Sequence, residues 1–550
     1  MSELRLVPLA ALLWAATAMV VLRHPGVAIA LVIASSLGAV ALRSFGQAIL
    51  LGCGGSVATV ISQLRVRAVG VDTPERLRGV IADHPKRLSD ELWLLKVDDQ
   101  GYPVTLPVLF RGAAPPAAGA TVEATVQARP SERAGLVAEL LTARDLTVVA
   151  PPQGWQAITG HVRHTFAQAS EFWLGAEARG LVPGMVLGDT NMQSEADRHL
   201  YIETGLSHLT AVSGSNVALV VTIVFTAARL LTLSPRVQVF AAAVALIGFL
   251  GLVGLEPSVL RAGVTGMVGL LAVINSSKMQ PIHGLSLAVC GLVLWDSDLA
   301  VQYGFALSVA ATGGIVALQP LLVPALARVS LFGRRMPDVV VRALGVAIAA
   351  DVVTAPILAM VTGTIPLVSV LANILAAPVV GVITVLGLVA VGCSLLPGGL
   401  ESIALFLVEP CARWIHLVAV TLHGPQLSAP VSWVLLGSAW IVYLFYRGWG
   451  RWVLGGAAAA TLVWLLPGVP LGDRPEEIPL HQLNVVTEQK IGGDYEPPAG
   501  TDAVVVLDGG GKARDRPTRT KGGVPVLYPN RDGEVALYSD GTQHARDGRF

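Results

Sequence analysis

GLSHLTAVSGSNVALVVTIVFTAARLLTLSPRVQVFAAAVALIGFLGLVGL, residues 205–255, holds two apolar runs, 209–228 and 237–255, on either side of a short turn that carries Arg229 and Arg236. A helix needs about 20 mostly apolar residues to cross a bilayer, and both runs are close to that length. Apolar run, basic turn, apolar run is the pattern of a polytopic α-helical membrane protein. The start of the stretch departs from it, because Ser207, His208, Ser213, Ser215 and Asn216 crowd the beginning of a span. Polar groups are costly in hydrocarbon and usually face a bundle interior or a water-filled path. Gly205 and Gly214 permit local unwinding, and irregular backbone at membrane depth is tolerated only where it is buried or lines a cavity.

Composition extends this reading to the whole chain. Of its 550 residues, 53% are hydrophobic and 14% charged, with a mean hydropathy of +0.64. Soluble domains carry about 25% charged residues, so the deficit selects the membrane class. Further apolar runs lie near 5–22, 26–42 and 45–62, then near 259–275, 283–296, 303–323, 338–361, 365–396, 402–422, 431–447 and 452–467. The length rule predicts about 11–13 spans. Run 365–396 is long and contains Pro378, which predicts a re-entrant piece followed by a helix. Leu4–Leu22 leads through Arg23, His24 and Pro25 into another apolar run, which predicts a retained first span rather than a cleaved signal.

The organisation is then N-terminal transmembrane helices over 1–63, a charged, turn-rich domain over 64–152, amphipathic linker helices over 153–206, a second set of spans over 207–467, and a polar tail over 468–550. The pieces LWLLKV (92–97), VTLPVLF (104–110), TVEATVQA (121–128) and LTVVA (146–150) read as strands separated by turns. Their number and spacing suit an inserted five-stranded OB-like barrel. ITGHVRHTFAQASEFWLGAEARG (158–180) reads as an amphipathic helix on the membrane surface or packed on the barrel, and GMVLGDTNMQSEADRHLYIETG (184–205) is too polar to span.

Basic residues fall in alternate loops: Arg229 with Arg236, then Lys278, then Arg328, Arg334 and Arg335, then Arg447 and Arg451. An even number of spans separates each group from the next, so one orientation places all of them in the cytoplasm. That orientation puts the N-terminus inside and both 64–206 and the tail outside. Net charge is zero, so no strongly basic nucleic-acid surface shows in the totals; a pore holding a polyanion in transit is not excluded. Cys53, Cys290, Cys393 and Cys411 lie far apart in apolar runs, without the CxxC pairing of a zinc site or a disulfide framework.

The segment GLSHLTAVSGSNVALV (205–220) resembles the signature of the ComEC family of competence proteins, whose usual form is near GLxHLLAxSGxH. Asn216 stands where that pattern ends in histidine. LVPGMVLGDTNMQSEADRHLYIETG (181–205) is similar to the family's approach to the signature, a Leu-Gly-Asp step before an acidic helix. GLEPSVLRAGVTGMVGLLA (254–272) resembles a Ser-x-x-Arg-Ala block, and WDSDLAVQYGFALSVAATGGI (295–315) an aspartate followed by Gly-Phe-x-Leu-Ser and Ala-Thr. TAPILAMVTGTIPLVSVLANILAAPVVG (354–381) resembles a Pro, Leu-x-Asn, Pro-x-x-Gly block.

The resemblance implies that 207–467 is a competence domain that passes single-stranded DNA across the cytoplasmic membrane, with no cofactor. It also implies partners: a competence DNA receptor and a cytoplasmic helicase-like ATPase. No Walker-type GxxxxGK[ST] occurs in this chain. Self-association into a homo-oligomer stays open. Many members end in a metallo-β-lactamase-like domain, which needs a His-x-His-x-Asp-His cluster to hold metal. Here the closest histidines are His161 and His164, and TDAVVVLDGGG (501–511) reads as a degenerate remnant, so no nuclease activity is expected.

Candidate path residues are His208, Ser213, Gly214, Ser215, Asn216, Arg261, Asp351 and Asn373. For the signature residues the alternative to pore lining is helix packing by small residues. On this reading, leucine at 214 or 216 stops DNA passage without loss of membrane insertion. Arg261 suits a phosphate contact, or an ion pair with Glu256. Asp351 pairs with Arg342 or sits in a polar bundle, and Glu409 with Arg413 forms an i,i+4 pair. The barrel either binds nucleic acid, through Trp93, Tyr102, Phe110 and the basic residues Arg65, Arg67, Arg76, Arg78, Lys86 and Arg87, or is structural. Two other functions remain: transport of another polymer or solute, and, less favoured, a membrane-bound nuclease.

Overall fold

Apolar composition drives most of the chain into helices joined by tight turns. The computed structural model describes residues 4–456 and 483–545, apart from 70–74, 90, 100, 132, 275–279, 329, 332–333, 425, 451, 453–454, 492–494, 496, 499–500, 509, 511–517, 521–523, 534 and 538–542. The N-terminal helices are α1 (Leu6–Val21), α2 (Pro25–Ala41) and α3 (Phe45–Val69). After the β domain come α4 (Gly154–Trp173), α5 (Ala176–Leu187) and α6 (Glu195–Glu203). The second set is α7 (Gly214–Leu230), α8 (Pro235–Val253), α9 (Pro257–Ile274), α10 (Pro281–Trp295), α11 (Tyr303–Leu326), α12 (Asp338–Thr362), α13 (Ser369–Ser394), α14 (Glu401–Thr421) and α15 (Val431–Tyr446).

Among the described residues seven helices are long and apolar enough to cross a membrane, and five shorter apolar ones accompany them. The protein is a multi-pass membrane protein. Twelve of the spans expected from sequence correspond one-to-one to these helices, and most of the thirteenth, 452–467, lies outside the described residues, as does Lys278. Helices α1, α2 and α7 end alike, on a left-handed residue that is not glycine: Arg23 (φ 67°), Arg43 (φ 56°) and Thr232 (φ 55°). In each the next amide reaches back to a helix carbonyl (His24 to Met19, Ser44 to Ala39, Leu233 to Ala228), which closes the end and turns the chain into the following helix.

The sequence reading of 365–396 is corrected. α13 runs unbroken from Ser369 to Ser394 through Pro378. A mid-helix proline removes one backbone hydrogen bond, and neighbouring helices commonly re-satisfy the freed groups in membrane proteins. Here Trp414 of α14 donates its indole N–H to the Leu375 carbonyl, in the turn before Pro378, at 2.8 Å.

The β domain is a closed five-stranded barrel of β1 (Arg76–Ile81), β2 (Leu92–Asp99), β3 (Leu106–Arg111), β4 (Thr121–Pro130) and β5 (Glu139–Ala150), with a short extension at Lys86–Arg87. Around the barrel the order is β1-β2-β3-β5-β4 and back to β1, with β3 and β5 parallel and the other pairs antiparallel. This is the OB-like topology. Alternation places Leu77, Ile81, Leu95, Val97, Leu106, Val108, Val122 and Leu141 in its core. Gly79 pairs with both Val122 and Asp99 where β1 bends between two neighbours, and a Cβ there would strike the Asp98 carbonyl.

The barrel is fastened to the helices on two sides. On one, Arg23 donates to the Leu136 carbonyl (2.9 Å), the Leu136 amide to Asp298 (2.6 Å), and Tyr102 to the Val69 carbonyl (3.0 Å). On the other, Lys86 pairs with Glu256 in the α8–α9 turn (2.5 Å), and Arg87 donates to the Asn191 carbonyl (3.1 Å).

Residues 459–550 form a second unit. In it Val485–Glu488, Ala503–Val506 and Pro525–Leu527 lie parallel in that order, and Thr518–Arg519 adds antiparallel to the last. Val504, Val506 and Val526 are its buried core.

Candidate functional site

The polar signature is where helical structure stops and restarts. α6 ends at Thr204, and Gly205 takes φ +73° so that the Leu206 amide can reach the Tyr201 carbonyl at 2.8 Å. A Cβ on Gly205 would strike Ser369 of α13. A single 3₁₀ turn, Ser207–Leu209, follows, and helix resumes only at Gly214. Its N-cap residue, Ser213, is extended and makes no side-chain cap bond; its hydroxyl contacts Ser215 Oγ (2.5 Å) and donates to Asn216 Oδ1 (3.2 Å). Just upstream, α6 lies beside α14 and its end: Asp197 is 3.7 Å from His416, and Glu203 is 3.0 Å from His423, two residues past that helix.

Four separated stretches of sequence converge on this break. Ser258 donates to the Val212 carbonyl at 3.2 Å, which attaches the start of α9 to the unwound segment. One turn on, the Arg261 Nη2 atom lies 2.8 Å from where a Cβ on Gly214 would sit, and Ala262 Cβ lies 3.2 Å from the same point. Arg261 Nε donates to Ser308 of α11 at 2.8 Å. From α13, Thr384 donates to Asn216 Oδ1 at 3.3 Å. Asp351 of α12 accepts from Ser369 at 3.2 Å, and Asn373 donates to Ser369 at 3.3 Å, in the group beside Gly205.

Asn216 is buried and serves as a tie: its Nδ2 donates to the Met185 carbonyl at 2.7 Å while Oδ1 accepts from Ser213 and Thr384. Ser215 and His208 are exposed, and His208 Nδ1 lies 3.1 Å from the Gly205 carbonyl. Arg261 is 8% exposed. It forms no pair with Glu256, because Glu256 sits in the turn facing the barrel, where Lys86 takes it. Nor does Asp351 pair with Arg342, which is exposed while Asp351 bonds Ser369. The Glu409–Arg413 pair is present at 2.6 Å.

Sequence reasoning missed Arg163 on α4. It is buried, and its guanidinium donates to the carbonyls of Leu187, Leu252 (3.2 Å) and Val253 (3.3 Å), the C-terminal ends of α5 and α8. Asp189 lies 4.0 Å away. Nearby, burial and Arg163 push the His84 imidazole down to about 4, so it is neutral at physiological pH. Burial and Asp296 push the Asp298 carboxyl up to about 6, against the Leu136 amide. Of the barrel's aromatics, Trp93 is buried and donates to the Gly112 carbonyl at 2.9 Å, while Phe110 and Tyr102 are half-buried and pack on the core.

Residues 185–457 match a family model described as Competence protein. The chain is a ComEC-family competence protein. The match runs from the end of α5 past α15 and includes every group at the break, while the barrel lies outside it. Membership places this competence protein in DNA uptake at the level of the family. No curated protein and no solved structure matches the chain.

Proposed function

We propose that this competence protein is the conduit that admits single-stranded DNA across the cytoplasmic membrane during transformation. The observation that carries the reading is the helix break of 205–213, where hydroxyls, an imidazole and a buried cation meet instead of the apolar packing a lipid-embedded bundle needs. Irregular backbone with polar side chains at a span's edge is stable where it borders a water-filled path. Ser213, Ser215 and His208 line that path, with Gly214 giving room and Arg261, Asp351 and Asn373 behind them. Asn216 holds the break's shape.

The alternation of basic loops supports a cytoplasmic N-terminus, with the barrel and the tail on the outer face. In this arrangement the barrel meets incoming DNA handed over by a competence DNA receptor. A helicase-like ATPase on the inner face draws the strand, and the conduit itself performs no chemistry. The test is a deletion strain given labelled duplex DNA. Surface-bound label with no protected single strand in the cytoplasm is the expected result. Undiminished cytoplasmic single strands in the deletion strain would end the reading and leave transport of another polymer or solute.

A further inference from the structure

We infer that Arg261 and the N-terminus of α7 form a binding subsite for one phosphodiester group of the strand in transit; this rests on the conduit reading and adds the contact that grips the backbone. Arg261 is 92% buried, and its one side-chain hydrogen bond is from Nε to Ser308. Neither terminal nitrogen has an acceptor, and no carboxylate pairs with the guanidinium among the described residues. The side chain is held almost wholly inside the bundle while its unpaired terminal nitrogens still touch solvent, so the charge is open to an anion that enters there. The other buried arginine among the described residues, Arg163, finds acceptors in helix-end carbonyls, with Asp189 at 4.0 Å.

The guanidinium is aimed at a second donor group of the same sign. Nη2 lies 2.8 Å from the Cβ position of Gly214, the first residue of the 17-residue α7. The first amides of a helix have no intrahelical acceptor and carry the positive end of its dipole. Here the cap residue's side chain does not serve them, since the Ser213 hydroxyl is engaged with Ser215 and Asn216. Two electropositive groups brought to one residue repel, and an oxyanion bound by both relieves that repulsion. Its two free oxygens match the guanidinium fork on one side and helix amides on the other. Glycine at 214 is what lets the fork pack against the first residue of α7, because a Cβ would take that space. A phosphodiester fits because it recurs along DNA whatever the base, so the grip is independent of sequence.

The test uses the full-length protein in nanodiscs of zwitterionic lipid. The probes are a short single-stranded phosphodiester oligonucleotide and the same sequence with an uncharged methylphosphonate backbone. The phosphodiester probe is expected to bind, Arg261→Gln to weaken it about tenfold or more and to lower the slope of log affinity against log salt by about one, and Arg261→Lys to fall between. Gly214→Ala, which displaces the fork without removing charge, is expected to weaken binding while the protein elutes and melts normally. Equal binding of the uncharged probe, or unchanged affinity and salt slope in well-folded Arg261→Gln, overturns the inference. So does loss of oligonucleotide binding on adding anionic lipid together with Arg261-dependent retention of that lipid, which would make this a headgroup site. The two readings fail separately. Uptake that is lost on deletion but normal in Arg261→Gln rejects the subsite and keeps the conduit; Arg261-dependent binding in a protein whose deletion leaves uptake intact does the reverse.

Discussion

Replacing Asn216 by leucine separates two roles that the signature alone does not distinguish. If the residue merely lines a path, leucine blocks passage and leaves stability unchanged. The structure gives a different expectation. Met185 lies in the last turn of α5, so its carbonyl has no intrahelical donor, and Asn216 Nδ2 supplies one at 2.7 Å. Leucine leaves that buried carbonyl unmet, at about 2 kcal/mol. The two hydroxyl bonds cost less, because Thr384 keeps the Val380 carbonyl (3.0 Å) and Ser213 keeps Ser215 (2.5 Å); about 1 kcal/mol covers both. The sum, about 3 kcal/mol, is a large fraction of a typical folding free energy. Thermal unfolding of the detergent-solubilised protein, followed by loss of the monodisperse elution peak, should show Asn216→Leu melting well below wild type. Ser213→Ala, which removes only the hydroxyl contacts to Ser215 and Asn216 and leaves the Met185 carbonyl bonded, should melt close to wild type. An Asn216→Leu protein that melts with wild type yet fails to pass DNA would refute the tie and restore the residue to the path.

Arg163→Met should destabilise by about 3 kcal/mol or more, because it leaves helix-end carbonyls and Asp189 without their buried donor; adding Asp189→Asn should recover part of the melting temperature. Asp298 has a folded-state value of about 6 against 3.8 for a free carboxyl. The folded protein therefore holds this proton more tightly than the unfolded chain, and stability falls as pH rises from about 4 to about 6 and is level above, by up to about 3 kcal/mol. Asp298→Asn should flatten the melting-temperature profile across that window, and an unchanged profile would reject the assignment. Lys86 and Glu256 are 49% and 35% exposed at the side chain, so Lys86→Ala should cost at most about 0.5 kcal/mol, an effect that salt abolishes.

Apolar run length made the helices legible, and alternation revealed four of the barrel strands. The first strand, RLRGVI (76–81), was hidden because Arg76 and Arg78 were read as a basic cluster rather than as the outward half of an alternating strand. Proline misled at 378, where the helix continues and a neighbour's indole bonds a carbonyl of the preceding turn. The stretch 158–180, read as one amphipathic helix, is broken at Leu174–Gly175 into α4 and the start of α5; in the fold, small residues let α5 lie buried, with Val186 against Gly387. At the site, the residues stood out because polar side chains are conspicuous in an apolar run. Their partners did not: Ser308, Ser369 and Thr384 are ordinary hydroxyls in apolar helices. The pairing of Arg261 with Glu256 failed because Glu256 lies in the turn before α9 and meets Lys86 of the barrel, a neighbour that sequence distance does not reveal.

The barrel's two attachments have a mechanical consequence. One holds the α10–α11 turn at Asp298, and the other holds the α8–α9 turn at Glu256. A closed hydrogen-bonded barrel is stiff, so it links these two turns, firmly at Asp298 and only weakly at Glu256. α9 begins at the second of them, with Arg261 little more than a turn along. On the conduit reading proposed above, the widening that admits a strand is expected at the unwound start of α7, the part of this site that neither attachment touches.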